Sequence, residues 1–183
     1  MVELTKEISL KDGIKKAIDK ANSLQEQILF SYSFQFEARD LLPMLTHPSD
    51  KDIIRLYWEQ PSKGFSFAGL GSVIKFQNLE KLPSQNIIEQ IKIIMDRGIS
   101  ISEHKLIGPR IVGGFAYNQY NGKDNTWNKF PRTLFLIPEC LGTSTDDGSW
   151  LTISRIVKAN ERIESVLDDF IRSKRYYKNR LPV

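Results

Sequence analysis

Cysteine is nearly absent from this chain. Cys140 is the only one in 183 residues, which excludes an internal disulfide and a cysteine-rich metal site. Histidine is scarce as well. His47 and His104 are the only two, and neither an H-x-x-x-H nor an H-E-x-x-H spacing exists to build a zinc centre. No run of about 18 apolar residues occurs, so no membrane-spanning helix is expected. The start, Met1-Val-Glu-Leu-Thr-Lys-Glu7, has neither the basic nor the apolar region of a secretory leader. A cytoplasmic, reducing setting is the expectation, with no membrane as partner. Internal repeats and low-complexity tracts are also missing.

What is present suits a globular fold. Apolar residues make up 40% of the chain and aromatics 10%, enough to bury a core within a single domain over residues 1–183. The net charge is +4, and its placement is uneven. Between Arg155 and Val183 eight basic residues face four acidic ones, which accounts for the whole excess. The run Arg172-Ser-Lys-Arg-Tyr-Tyr-Lys-Asn-Arg180 mixes cations with aromatics, a composition that suits phosphate contacts and base stacking. Short basic runs are more commonly solvated helix ends or linkers. Residues 172–183 are therefore read as a basic linker, and nucleic acid is not the expected partner.

Periodicity supplies the elements. Leu10, Ile14, Ala17, Ile18, Ala21 and Leu24 predict an amphipathic helix over 10–24, with Gly13 weakening its start. Phe30, Tyr32, Phe34 and Phe36 alternate with Ser31, Ser33, Gln35 and Glu37, the pattern of a half-buried strand. Asp40 is placed to cap a short helix ending near Leu45. Ile53–Trp58 and Phe65–Phe76 read as antiparallel strands joined by Gln60-Pro-Ser-Lys-Gly64. Ser84 is set to cap a helix with the face Ile87, Ile88, Ile91, Ile94 and Met95, closing at Arg97-Gly98. Arg110–Tyr117 is a further strand, and the polar loop from Asn118 to Pro131 holds Trp127 and Phe130. Thr133–Ile137 and Trp150–Val157 are strands, with a turn-rich Gly142–Gly148 between them. Ile163, Val166, Leu167, Phe170 and Ile171 give a final helix. The hairpin connections imply an α+β fold, a mainly antiparallel sheet with flanking helices.

Each candidate for chemistry has a plainer reading. Gly69-Leu-Gly71 would open a dinucleotide-binding fingerprint, but the third glycine position holds Ile74 and no periodic helix follows. Glycine in an extended run instead marks a bend, a bulge or a close backbone approach, and Gly113-Gly114 is read in the same way. His47 and His104 lack an orienting carboxylate and a nucleophile in sequence, so both are read as surface residues. Cys140 follows an apolar strand with nothing basic beside it, as a small buried hydrophobe does. Asp146-Asp147 precede Gly148 and suit a turn. Lys63 falls in a hairpin loop and is read as solvated.

Three segments in order carry a family likeness. They are Tyr57-Trp-Glu-Gln-Pro61 with Phe65-Ser-Phe-Ala-Gly-Leu-Gly71, then Gly108-Pro-Arg-Ile-Val-Gly-Gly-Phe-Ala-Tyr117, then Trp127-Asn-Lys-Phe-Pro-Arg132 with Phe135-Leu-Ile-Pro138. Together they resemble the N-terminal portion of the chorismate-utilising enzymes, within them the isochorismate synthase branch. The tryptophan-regulated members carry an L-L-E-S-like signature that Phe30–Leu42 lacks, which favours that branch. The resemblance implies a sheet sandwich shared between two halves of a longer polypeptide. It also implies Mg²⁺-dependent addition of water to chorismate with loss of its hydroxyl, serving menaquinone or siderophore synthesis. In such chemistry a lysine is the base toward water and a glutamate the acid toward the leaving group. The family's base lysine lies in a K-V-V-L-A-R-like strand that has no counterpart in this sequence, and Lys178 does not stand in for it. No catalytic, cofactor-binding or metal residue is assigned here. The chain is thus expected to be an N-terminal scaffold segment lacking the catalytic C-terminal half, which would be its partner. Mg²⁺ is expected only for the complete enzyme. A stand-alone noncatalytic binding module of the same fold is the alternative.

Overall fold

The computed structural model describes residues 2–38, 40–46, 53–78, 85–104, 106–117 and 131–179, with backbone alone for 2–9 and 85. The long helix α1 spans Val2–Leu24 and leads into strand β1, Ile28–Phe36. A 3₁₀ turn at Leu42–Leu45 follows, where the Asp40 carboxylate accepts a hydrogen bond from the Leu42 amide at 2.9 Å. Strands β2 (Arg55–Gln60) and β3 (Phe65–Leu70) form the expected hairpin. After them come β4 (Ile74–Asn78), α2 (Gln85–Arg97), β5 (Ile99–Ile101), β6 (Val112–Phe115), β7 (Thr133–Ile137), β8 (Cys140–Thr145), β9 (Gly148–Val157) and α3 (Ile163–Lys178).

Two sheets result. The larger has the order β2-β3-β8-β9-β1-β5, and the smaller β4-β7-β6. Every pairing is antiparallel except β1 with β5. The α+β class with a mainly antiparallel sheet is borne out. The longest ladder joins β1 to β9, from Ile28 opposite Val157 to Phe36 opposite Ser149.

One face of the large sheet carries the core. Phe30, Tyr32 and Phe34 of β1, Leu151, Ile153 and Val157 of β9, Cys140 of β8, and Ala68 and Leu70 of β3 are buried there. Above them lie Leu10, Ile14, Ala17, Ile18 and Ala21 of α1, then Val166, Phe170 and Tyr177 of α3, with Leu41 and Met44 from the 3₁₀ turn. Phe30 meets Phe170 edge-on at 5.1 Å between ring centroids, a favoured aromatic geometry. Gly13 does not weaken a helix start. It sits inside α1 at its closest approach to the sheet, where a Cβ would come within 2.8 Å of Ile101 Cγ1 and 3.0 Å of the Phe30 ring. The helix accepts glycine's roughly 1 kcal/mol propensity cost there because a side chain would hold α1 off the core.

Three expectations change. The strand β1 is not half-buried: Ser31 and Ser33 on its polar face are 0% and 4% exposed. Their hydroxyls pair with β9 neighbours, Ser31 Oγ with Ser154 Oγ at 2.9 Å and Ser33 Oγ with Thr152 Oγ1 at 2.8 Å. A polar group can be buried when its partner is built in. The extended run 65–76 is two strands in different sheets. Gly71, at φ +65°, turns the chain between them, a conformation that favours glycine. The turn-rich stretch from Gly142 is mostly strand β8, which pairs on both sides, and the turn is confined to Asp146-Asp147.

Other expectations stand or narrow. Helix α2 ends as foreseen, with the Gly98 amide donating to the Ile94 carbonyl at 2.9 Å. Gly69 lies in β3 and Gly113-Gly114 in β6, so these three glycines belong to sheet, while Gly71 is the bend that follows β3. Residues 172–178 continue α3 rather than forming a linker, and Tyr177 is buried. Ser84, His47, Trp127 and Phe130 lie outside the described residues. Among the described residues no helix is long and apolar enough to cross a membrane.

Candidate functional site

The second face of the large sheet differs in character. Register places Trp58, Phe67, Thr143, Trp150 and Gln35 in one row across β2, β3, β8, β9 and β1, and registered neighbours share a face. Trp58 stacks on Phe67 at 5.5 Å and 22°, and meets Phe65 at 5.8 Å. Next to this row runs the hydroxyl ladder of Ser31, Ser33, Thr152 and Ser154.

Residues 102–104 and 106–111, between β5 and β6, form a strap against this face. The His104 ring lies 5.0 Å from that of Trp150, and the Arg110 guanidinium sits 5.2 Å above the Phe65 ring, within cation–π range. Ile107 between them is buried. The strap is knitted internally: Ser102 Oγ donates to the His104 carbonyl at 2.9 Å, and Arg110 Nη2 donates to the Leu106 carbonyl at 2.9 Å. The Leu106 amide donates to His104 Nδ1 at 3.3 Å. In the neutral ring that leaves the proton on Nε2, which faces Asp147 Oδ2 at 3.8 Å.

His104 is therefore a partly buried ring beside a carboxylate 43 positions away, not the surface residue the sequence suggests. Sequence spacing hid this because the β8–β9 turn and the strap are brought together only by the sheet. A His–carboxylate pair is the orienting part of a nucleophilic site. Among the described residues no hydroxyl or thiol hydrogen-bonds that ring. Cys140 is buried on the opposite, helix-covered face between Leu70 and Ile153, as its sequence setting suggests. Asp146 points to Gly64 of the β2–β3 turn, so the two aspartates do not act as an acid pair.

A cavity of about 600 Å³ opens beside α3, lined in part by Ile53, Val73, Glu139, Arg155, Arg172 and Tyr177. Its charges are mutually engaged. Arg155 pairs with Asp169 and, at 3.5 Å, with Glu161, and Asp169 also pairs with Arg172. The Tyr177 hydroxyl bonds Glu139, and burial first, then that carboxylate, pushes the phenol far above its ordinary range. Burial, seconded by Glu103, pushes Tyr32 up in the same way. Lys63 and Lys178 are exposed. Among the described residues no group of three or more His, Cys, Asp or Glu side chains converges to hold a metal ion. A Mg²⁺ site of hard oxygen ligands does not fit these described side chains.

Comparison with known proteins gives the setting. Residues 15–182 match the family model described as chorismate binding enzyme. The chain is 29% identical over 160 residues to isochorismate synthase MenF of Bacillus subtilis, a match covering 83% of this chain and 34% of that protein. It is 24% identical over 122 residues to the salicylate biosynthesis isochorismate synthase of Pseudomonas aeruginosa, covering 67% of this chain and 25% of that protein. The chain thus spans about a third or less of the length of these relatives.

Proposed function

We propose, from the premise that this chain belongs to the chorismate binding enzyme family, that it is the scaffold portion of an isochorismate synthase. The observation that carries the reading is the match to the Bacillus subtilis enzyme, which takes in 83% of this chain but only 34% of the relative. Adding water to chorismate and expelling its hydroxyl requires a base, an acid and a bound metal held around one ring. Arg155, Glu161, Asp169 and Arg172 beside the cavity are tied to one another, which suits a framework whose reactive groups come from further polypeptide. The complete enzyme would use Mg²⁺ held by those other residues. Its product would enter menaquinone or siderophore synthesis, in the cytoplasm.

The purified chain, given chorismate and Mg²⁺, is expected to form no isochorismate by chromatography. Joined to the part of the Bacillus subtilis relative that it does not match, it is expected to form isochorismate. Turnover by the chain alone would sink the scaffold reading, and so would an inert fusion that is folded.

A further inference from the structure

The strap is held in two unequal ways. Its shape comes from bonds within itself: the Ser102 hydroxyl donates to the His104 carbonyl at 2.9 Å, the Ile107 amide to the same carbonyl at 3.1 Å, and Arg110 Nη2 to the Leu106 carbonyl at 2.9 Å. None of these three depends on the sheet beneath. Its seat on the sheet is made of weaker contacts. Ile107 is buried, the His104 ring lies 5.0 Å from that of Trp150, and the Arg110 guanidinium lies 5.2 Å from the Phe65 ring centroid. The approach of His104 Nε2 to Asp147 Oδ2, at 3.8 Å with the aspartate side chain 78% exposed, adds little.

The seat also carries a cost. The strap touches Trp150 on β9 and Phe65 on β3, so it crosses β8, which lies between them. Thr143 is the β8 residue opposite both Phe67 and Trp150, and it is fully buried. Among the described residues its hydroxyl has no hydrogen-bond partner, and neither has Arg110 Nε, which is buried as well. A buried polar group without a partner keeps the full penalty of leaving water, and such groups in native proteins mark stored strain or a function. Lifting the strap would wet both atoms while its internal hydrogen bonds travel with it.

We infer that residues 104 and 106–111 lift from the sheet as one piece while the sheet stays paired, and that the two unpartnered groups set how often. Both roots stay anchored: Glu103 lies close enough to Tyr32 for its charge to act on the phenol, and Val112 begins β6. Lifting uncovers the faces of Trp150 and Phe65 on which His104 and Arg110 rest. Segments with few apolar contacts open in this way far more often than the molecule unfolds. The inference concerns this chain alone and stands whether or not the scaffold reading does.

Thiol labelling of the folded chain tests it, because Cys140 supplies a control, buried under the helices on the opposite face of β8. Ile107→Cys places a second thiol under the strap. That thiol is expected to react with a disulfide reagent at least roughly 100-fold faster than Cys140, as local opening requires, yet more slowly than in the urea-unfolded chain. Adding Thr143→Val deletes the unpartnered hydroxyl in a side chain of similar shape, and should slow the new thiol by roughly tenfold while leaving Cys140 unchanged. Thr143→Ser keeps the hydroxyl and should give no slowing. Circular dichroism confirms that each variant folds. Should Ile107→Cys not fold, Thr143→Cys gives the same rate comparison from the sheet side of the contact. Equal rates for the two thiols would mean that the strap opens only with the sheet, and a new thiol as fast as in the unfolded chain would mean that the strap is not seated. Labelling that Thr143→Val leaves unchanged or speeds up would mean that the hydroxyl does not oppose closure. Each of these results overturns the inference.

Discussion

The centre of the large sheet and its β2 edge use the same kinds of side chain to opposite effect. In β1 the aromatics Phe30, Tyr32 and Phe34 are buried under α1 and α3, and even the serines between them are enclosed. In β2, Tyr57 and Trp58 are 37% and 45% exposed, and among the described residues neither α1 nor α3 covers them as they cover β1. Aromatic content therefore marks both as strands but does not say which is core. The difference comes from what other elements lay on each strand.

Substitutions can break that contrast, and the largest effect belongs at the centre. Phe30→Ala removes a fully buried ring that meets Phe170, and urea denaturation should show a loss of about 3–5 kcal/mol. Gly13→Ala gains helix propensity but places a methyl against Ile101 and Phe30. Crowding should win, with a net loss of about 1–2 kcal/mol in the same assay. A net gain would show that α1 can lift away at no cost.

Tyr177 sharpens the comparison through pH. Its folded pKa is raised by burial and by Glu139, so the folded state keeps the proton at a pH where the unfolded chain releases it. That stability is fully present below about pH 10, the unfolded value, and falls as pH rises above it. Tyr177→Phe should cost about 1 kcal/mol at neutral pH through the lost hydrogen bond. Its melting temperature should then decline less steeply above about pH 10 than that of the parent. Parallel declines would mean that the buried phenol does not govern the alkaline limb. The smallest effect is expected at the edge, where Trp58→Ser in the isolated chain should change stability by less than about 1 kcal/mol. A loss of 3 kcal/mol or more at this site would make the edge part of the core.

Much of this architecture was legible in the residues. The face Leu10, Ile14, Ala17, Ile18 and Ala21 gave α1 its buried side, and the proline-early, glycine-late loop at 60–64 gave the β2–β3 hairpin. The extent of strands was less legible. The sequence reads as one strand from Phe65 to Phe76 because a single left-handed residue, Gly71, is enough to send the chain into another sheet. Strand β8 was hidden because Gly-Thr-Ser-Thr has turn composition, yet partners on both sides hold it extended. The site was least legible of all. His104, Trp150 and Asp147 converge only because β8–β9 and the strap meet across the sheet, and no local spacing records a meeting of that kind. Gly108-Pro109 marks a break in regular structure, but not where the strap would lie.

The β1–β9 ladder has a consequence for how the protein is made. Ser31 and its hydroxyl partner Ser154 are 123 positions apart, so an aromatic strand waits for a neighbour made 123 positions later. At about 5–20 residues per second of synthesis, that wait lasts roughly 6–25 s. During it Phe30, Tyr32 and Phe34 lack the cover of α3 and the pairing of β9, which makes the nascent chain a natural client for a holding chaperone.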